Sequence, residues 1–201
     1  YGGFFAELGE YEMADVVHEK AYLISSEALG AKDPRTIMRL QTLANNDADL
    51  QRYELAEQRL QDAQATLVTA VGAEALPTIN VLEDLAQLYQ RQGKLRPALE
   101  PLEQSYALRT KVQGPEETQT LETKERLAEL YRQLGRPDEA EPMFLEVIAA
   151  SEQLLGIADP LVIDAKSHLA QLYENTNNFV ASLRYYQEVY EIDQQILGDA
   201  H

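Results

Sequence analysis

Three histidines, a surplus of carboxylates and no cysteine define the chemistry this sequence could carry. Without a thiol there is no disulfide, no thiolate nucleophile and no thiolate metal ligand. Asp164 and His168 stand four residues apart, a spacing at which two ligands share one helix face. No second pair accompanies them, so no metal is expected. His18 falls on a column otherwise held by Leu60, Leu102, Phe144 and Tyr186, which predicts a packed ring; His201 is the last residue. A Gly-x-Ser-x-Gly elbow, a phosphate-cradling glycine loop and His-Glu-x-x-His are all missing from the sequence, and Gly2-Gly3 follows no strand. Tyr185, Tyr186 and Tyr190 form a stripe at helical spacing and read as packing surface. Carboxylate pairs are the background of an acidic chain. The residues therefore predict no catalytic group, no cofactor and no enzyme activity.

Thirty-four acidic side chains against 17 basic ones leave a formal net charge of −17. Such a surface repels phosphate backbones and anionic lipid heads, and no local basic patch opposes it. Nucleic acid and membrane are not expected as partners; a protein or peptide of neutral to basic character is. No run of eighteen apolar residues and no signal-like amino terminus occurs, which predicts a cytoplasmic location.

The elements that would position these groups repeat. Gly30, Gly72, Gly114, Gly156 and Gly198 recur every 42 residues, and cutting the chain at that period aligns its segments without a gap. Leu43, Leu85, Leu127 and Leu169 are each followed by Ala44, Ala86, Ala128 and Ala170, and then by Asp47, Tyr89, Tyr131 and Tyr173. Leu, Ala and Tyr at i, i+1 and i+4 share one helix face, with Ala where a neighbouring backbone comes close. A break follows at Gly9, Gln51, Gly93, Gly135 and Asn177, where a left-handed residue is expected. A second helix then carries Ala14, Ala56, Ala98, Ala140 or Ser182 as its small contact residue, with Pro97 and Pro137 near its first turn. Asp33-Pro34 and Asp159-Pro160 open the next pair. No alternating strand pattern competes.

These columns resemble the tetratricopeptide repeat, in a 42-residue form with Leu-Gly-x-x-Asp-Pro between pairs and Ala-Glu-Pro-Met-Phe at 140–144, similar to the repeats of kinesin light chains. The resemblance implies an all-α, right-handed superhelical solenoid of antiparallel helix pairs: a partial repeat at 1–33 and full repeats at 34–75, 76–117, 118–159 and 160–201. The alignment puts Tyr1 inside a first helix and ends the chain, at "QILGDAH", inside a linker. This predicts a piece of a longer protein with apolar surface, and scope for self-association, at its two outermost repeats.

On the first helix of each pair the face opposite Leu, Ala and Tyr holds Gln41, Asn45, Ala48 and Asp49; Glu83, Gln87, Gln90 and Arg91; Glu125, Glu129, Arg132 and Gln133; and Ser167, Gln171, Glu174 and Asn175. Periodicity reads this as a solvated face; the resemblance makes it a concave peptide-binding groove. It holds no lysine, unlike the grooves that grip a carboxyl terminus. The paired asparagines of kinesin light chains are replaced by Gln41-Thr42, Glu83-Asp84, Glu125-Arg126 and Ser167-His168. The expected function is a protein-interaction scaffold. The alternatives are a regulatory arm of a multidomain signalling enzyme, such as a kinase or protease, and a self-assembly segment.

Asp47 breaks the aromatic column. A carboxylate on a packing face must find a partner or take up a proton. The run Asn45-Asn46-Asp47 favours a local rotation or kink of the helix; the alternative is an inward pair with Arg52.

Overall fold

The computed structural model describes residues 11–198. The readings placed on Tyr1, Gly2-Gly3, Gly9 and His201 lie outside the described residues. Within them nine helices follow in order: α1 (Tyr11–Leu29), α2 (Pro34–Asp49), α3 (Tyr53–Ala70), α4 (Leu76–Arg91), α5 (Leu95–Val112), α6 (Thr118–Gln133), α7 (Pro137–Leu155), α8 (Pro160–Asn175) and α9 (Phe179–Leu197). The chain divides into two compact units, residues 1–108 and 109–201, with the division inside α5.

Helix starts follow the repeat chemistry. Asp33 and Asp159 are extended N-caps whose carboxylates accept from the backbone N–H of Arg35 and Leu161, both at 2.9 Å. Pro34 and Pro160 occupy the first turn, where the missing N–H goes unused. Helix α4, whose N-cap is Ala75, lacks such a cap; there the Thr78 hydroxyl donates to the Gly72 carbonyl at 2.8 Å.

The turns inside the pairs are left-handed. Gly93 and Gly135 both have φ 70°, and the same conformation is imposed on Gln51 (φ 59°) and Asn177 (φ 61°). Each turn is closed by backbone bonds such as Arg52 N–H to the Asp47 carbonyl at 2.8 Å and Asn178 N–H to the Tyr173 carbonyl at 2.7 Å.

In residues 1–108 the expected columns form the core. Ala44, Ala56 and Ala63 are fully buried beside Leu60, Leu67, Val81, Leu85 and Leu88. The packing links α1 to α2, α2 to α3 and α3 to α4, and also joins the two first helices α2 and α4. In residues 109–201 the same scheme joins α6, α7, α8 and α9 in sequence and α6 to α8. Leu127, Ala128, Leu130, Phe144, Val147, Leu169 and Ala170 are buried there. Burying each large apolar side chain stabilises the fold by about 1.5–3 kcal/mol.

Tyrosine ends the column with a polar tip that needs a partner. Tyr89 donates its O–H to Glu57 at 2.8 Å, and Tyr173 donates to Glu141 at 2.8 Å. Each glutamate follows the small Ala of the preceding second helix, so one bond registers one repeat on the next. Burial and the adjacent Glu57 carboxylate push the Tyr89 phenol up to about 12.

Asp47 takes the alternative that the sequence favoured less. Helix α2 runs unbroken to Asp49, and the Asp47 side chain is wholly buried, ion-paired with Arg59 and lying 3.3 Å from Arg52 Nε. Burial raises its pKa although both guanidinium groups oppose the shift. His18 is half-buried, and burial lowers its pKa.

Large apolar side chains are exposed on the first and last of the described helices. Met13, Val16, Leu23 and Ile24 face outward on α1, as do Phe179, Val180, Leu183 and Tyr190 on α9.

Candidate functional site

The polar face of the first helices is best followed within each unit. In residues 1–108, Asn45, Asp49, Gln87 and Arg91 are exposed, and Gln41 and Gln90 are half-buried. Ala48 is buried and contributes to the core. Arg91 closes on Asp49 at 2.6 Å, one repeat away, and Gln41 donates to Asp84 at 2.9 Å. Glu83 is drawn back into its own helix pair, where the buried Ser105 hydroxyl donates to it at 2.6 Å.

In residues 109–201 the face is more connected. Arg132 sits bidentate on Glu129 at 2.6 and 2.7 Å, and Gln133 donates to the same carboxylate at 2.7 Å. His168 Nδ1 lies 2.6 Å from Glu125 and 3.9 Å from Glu129. Glu174 accepts from Tyr186 at 3.3 Å, Ser167 donates to the Ile163 carbonyl of its own helix, and Gln171 is half-buried. Asn175 is exposed.

The electrostatics follow from these pairs. The bond to Glu125 raises the His168 pKa against its burial, and Glu129 adds to the rise. Burial alone would raise Glu129, but Arg132, His168 and Gln133 together hold it below the ordinary glutamate value. Glu125 is nearly buried, so its charge is spent on the imidazole.

His168 and Asp84 are the members of this face that helical position alone left out. Both stand one residue beyond a chosen position, and the contacts Gln41–Asp84 and Glu125–His168 span the same 43 residues. Hydrogen-bond complementarity at that separation, an N–H donor facing a carboxylate, is the signal the sequence contains. Asp164 is exposed while His168 is engaged by Glu125. Among the described residues no group of three histidine, aspartate or glutamate side chains could hold a metal ion, and no helix is long and apolar enough to cross a membrane.

A profile described as Tetratricopeptide repeat matches residues 40–111 and 119–195. The chain belongs to the tetratricopeptide repeat family. Among solved structures, the nearly identical TPR-like repeats of a kinesin-light-chain-type protein from Podosopora anserina share 21% identity over 97% of this chain and 92% of that one, with a TM-score of 0.83. BtubC (BKLC) from P. vanneervenii is 16% identical over 98% of this chain and 78% of its own, with a TM-score of 0.86. YrrB, described as a TPR protein with an unusual peptide-binding site, is 17% identical over 95% of this chain and 82% of its own, with a TM-score of 0.59. These likenesses carry the fold: sequential antiparallel helix pairs of the tetratricopeptide kind. No curated protein matches the chain. Repeats of this family typically serve as protein–protein interaction modules.

Proposed function

We propose that the polar face of the first helices holds a peptide or partner segment bearing Lys or Arg. The observation that carries this reading is the state of the two groove arginines. Arg91 is closed on Asp49 and Arg132 on Glu129, each at 2.6 Å. What the face offers a ligand is then, within residues 1–108, the amides of Asn45, Gln87 and Gln90, and, within residues 109–201, the amides of Gln171 and Asn175 together with the Glu174 carboxylate. Amides suit a peptide backbone and the carboxylate suits a basic side chain. The reading is tested by titrating the chain with basic, neutral and acidic peptides of matched length at two salt concentrations. Basic peptides should bind best and weaken with salt, and Glu174→Gln should weaken them further. A preference for acidic peptides overturns the assignment.

A second reading, self-association, is favoured by the apolar face of α9. Sedimentation over a wide concentration range, with Phe179→Ser and Leu183→Ser together as the control, distinguishes it.

A further inference from the structure

In two helix pairs the residue twelve positions after the fourth-after-Leu column of the first helix lies across from it on the second helix. In α2–α3 this residue is Arg59, which closes over Asp47. In α8–α9 it is Tyr185, stacked on Tyr173 with ring centroids 5.9 Å apart and planes 25° from parallel. Arg184 lies over the Tyr185 ring at 5.2 Å, and the nearly buried Lys166 is held there between Glu152 and Glu188, each at 2.8 Å. In α6–α7 the Tyr131 ring is buried, with the Arg136 guanidinium over it at 4.6 Å.

The α4–α5 pair differs. The corresponding residue is Pro101, whose ring is too short to cover Tyr89, and Leu82 stands where Lys166 stands in the later copy. A cleft of about 410 Å³ opens at this point. Leu82, Leu85 and the Tyr89 ring form its floor, Pro97 and Pro101 one wall, and Glu100 part of its rim. Its size falls within the range of roughly 300–1,000 Å³ common for ligand sites. Pro101 lies inside α5 and has no N–H, so the Pro97 carbonyl loses its usual donor one turn on. The remaining lining residues are Gln61, Gln64 and Gln104, so no cation lines the cleft.

We propose that this cleft receives an aromatic side chain of a partner protein, stacked on Tyr89 as Tyr185 stacks on Tyr173, with a Lys or Arg beside it directed at Glu100. The α8–α9 copy specifies the occupant: there the place opposite the tyrosine is taken by a ring accompanied by a cation. Offset stacking on the Tyr89 ring supplies the affinity, and the carboxylate and amides of the lining supply the charge preference. On α4 the floor residues Leu82, Leu85 and Tyr89 lie on the side away from Gln87 and Arg91, so this site is separate from the face proposed above.

The test uses the full chain and three labelled peptides alike except at their centres, Lys-Phe-Lys, Lys-Ala-Lys and Glu-Phe-Glu. Lys-Phe-Lys should bind about tenfold more tightly than either other peptide, and Pro101→Tyr, which restores the covering ring, should remove that advantage. Glu174→Gln should leave it unchanged. Glu100→Lys, an exposed change independent of the fold, should reverse the order of Lys-Phe-Lys and Glu-Phe-Glu. Equal or absent binding of the Phe and Ala peptides overturns the proposal, as does an undiminished affinity in Pro101→Tyr. So does self-association abolished by Pro101→Tyr, which would make the occupant a second copy of this chain.

Discussion

Arg59 on α3 lies against Asp47 on α2 across the same twelve residues that separate Tyr185 from the Tyr173 ring it stacks upon. A charge pair therefore substitutes for a ring pair at equivalent places in the repeat. The substitution draws in two further groups, because Arg52 approaches Asp47 at 3.3 Å and Asp15 at 2.7 Å, one guanidinium bridging two carboxylates. Removing Arg59 leaves a buried carboxylate with half its compensation. Arg59→Ala is expected to destabilise the chain by about 2–4 kcal/mol. The double change Asp47→Tyr with Arg59→Tyr restores the other copy's solution and should recover most of that loss. Urea unfolding of Asp47→Tyr, Arg59→Tyr and the double variant checks this, and purely additive losses would show that the residues do not act as a pair.

The legibility of the sequence divides along the same line. The Leu, Ala and Tyr columns and the left-handed turns are legible because most copies solve the same packing problem with the same residue types, Asp47, Gln51 and Asn177 being the departures. Polar destinations were not, since they depend on a neighbour in another copy. Glu83 turns to Ser105, while Lys124 and Lys166 turn to Glu146 and Glu188, all across 22 residues. Position on a helix wheel assigned Glu83 and Glu125 to the open face, but a wheel contains no second helix. Asp47 is anomalous in the sequence, but its partner Arg59 stands in a column of dissimilar residues, Arg59, Pro101, Met143 and Tyr185, which carries no repeat signal.

Gln51 offers a test of the turn. It holds φ 59°, where Gly93 and Gly135 hold 70°. A side chain in this conformation costs roughly 1–2 kcal/mol, while glycine gives back roughly 0.5–1 kcal/mol through its freer unfolded chain. Gln51→Gly should thus stabilise residues 1–108 by about 0.5–1 kcal/mol in thermal or urea unfolding. A loss of stability would mean that the Gln51 side chain makes a contact worth more than the backbone relief.

His168 predicts a pH dependence with a definite sign. Its pKa is raised above the ordinary 6.5 by Glu125, with a further contribution from Glu129, against burial and the repulsion of Arg132. Because the folded state binds the proton more tightly, the stabilisation is complete below the unfolded value near 6.5 and is lost as pH rises through the higher folded value. Unfolding free energy should fall between slightly acidic and mildly alkaline pH, and His168→Gln should flatten that slope. Glu129 acts in a different window: its lowered pKa gives stability that disappears only as the solution is acidified through the folded value. A slope in the neutral range that survives His168→Gln would place the titrating group elsewhere.

The small-residue column makes the most direct claim on the packing itself. Ala44, Ala86, Ala128 and Ala170 are each fully buried, at the point where α2 meets α4 and α6 meets α8 within their units. A larger side chain there has no open space to enter, so it must push a neighbouring helix away or leave its rotamer well. Ala128→Leu is expected to destabilise by roughly 1–3 kcal/mol despite its added apolar surface. Asn175→Leu, on the exposed face of α8, should change stability by no more than about 0.5 kcal/mol. The contrast separates close approach from hydrophobicity, because both variants gain the same side chain. If Ala128→Leu were neutral or stabilising in urea unfolding, the first helices would lie farther apart than the repeat requires, and the alanine column would need another explanation.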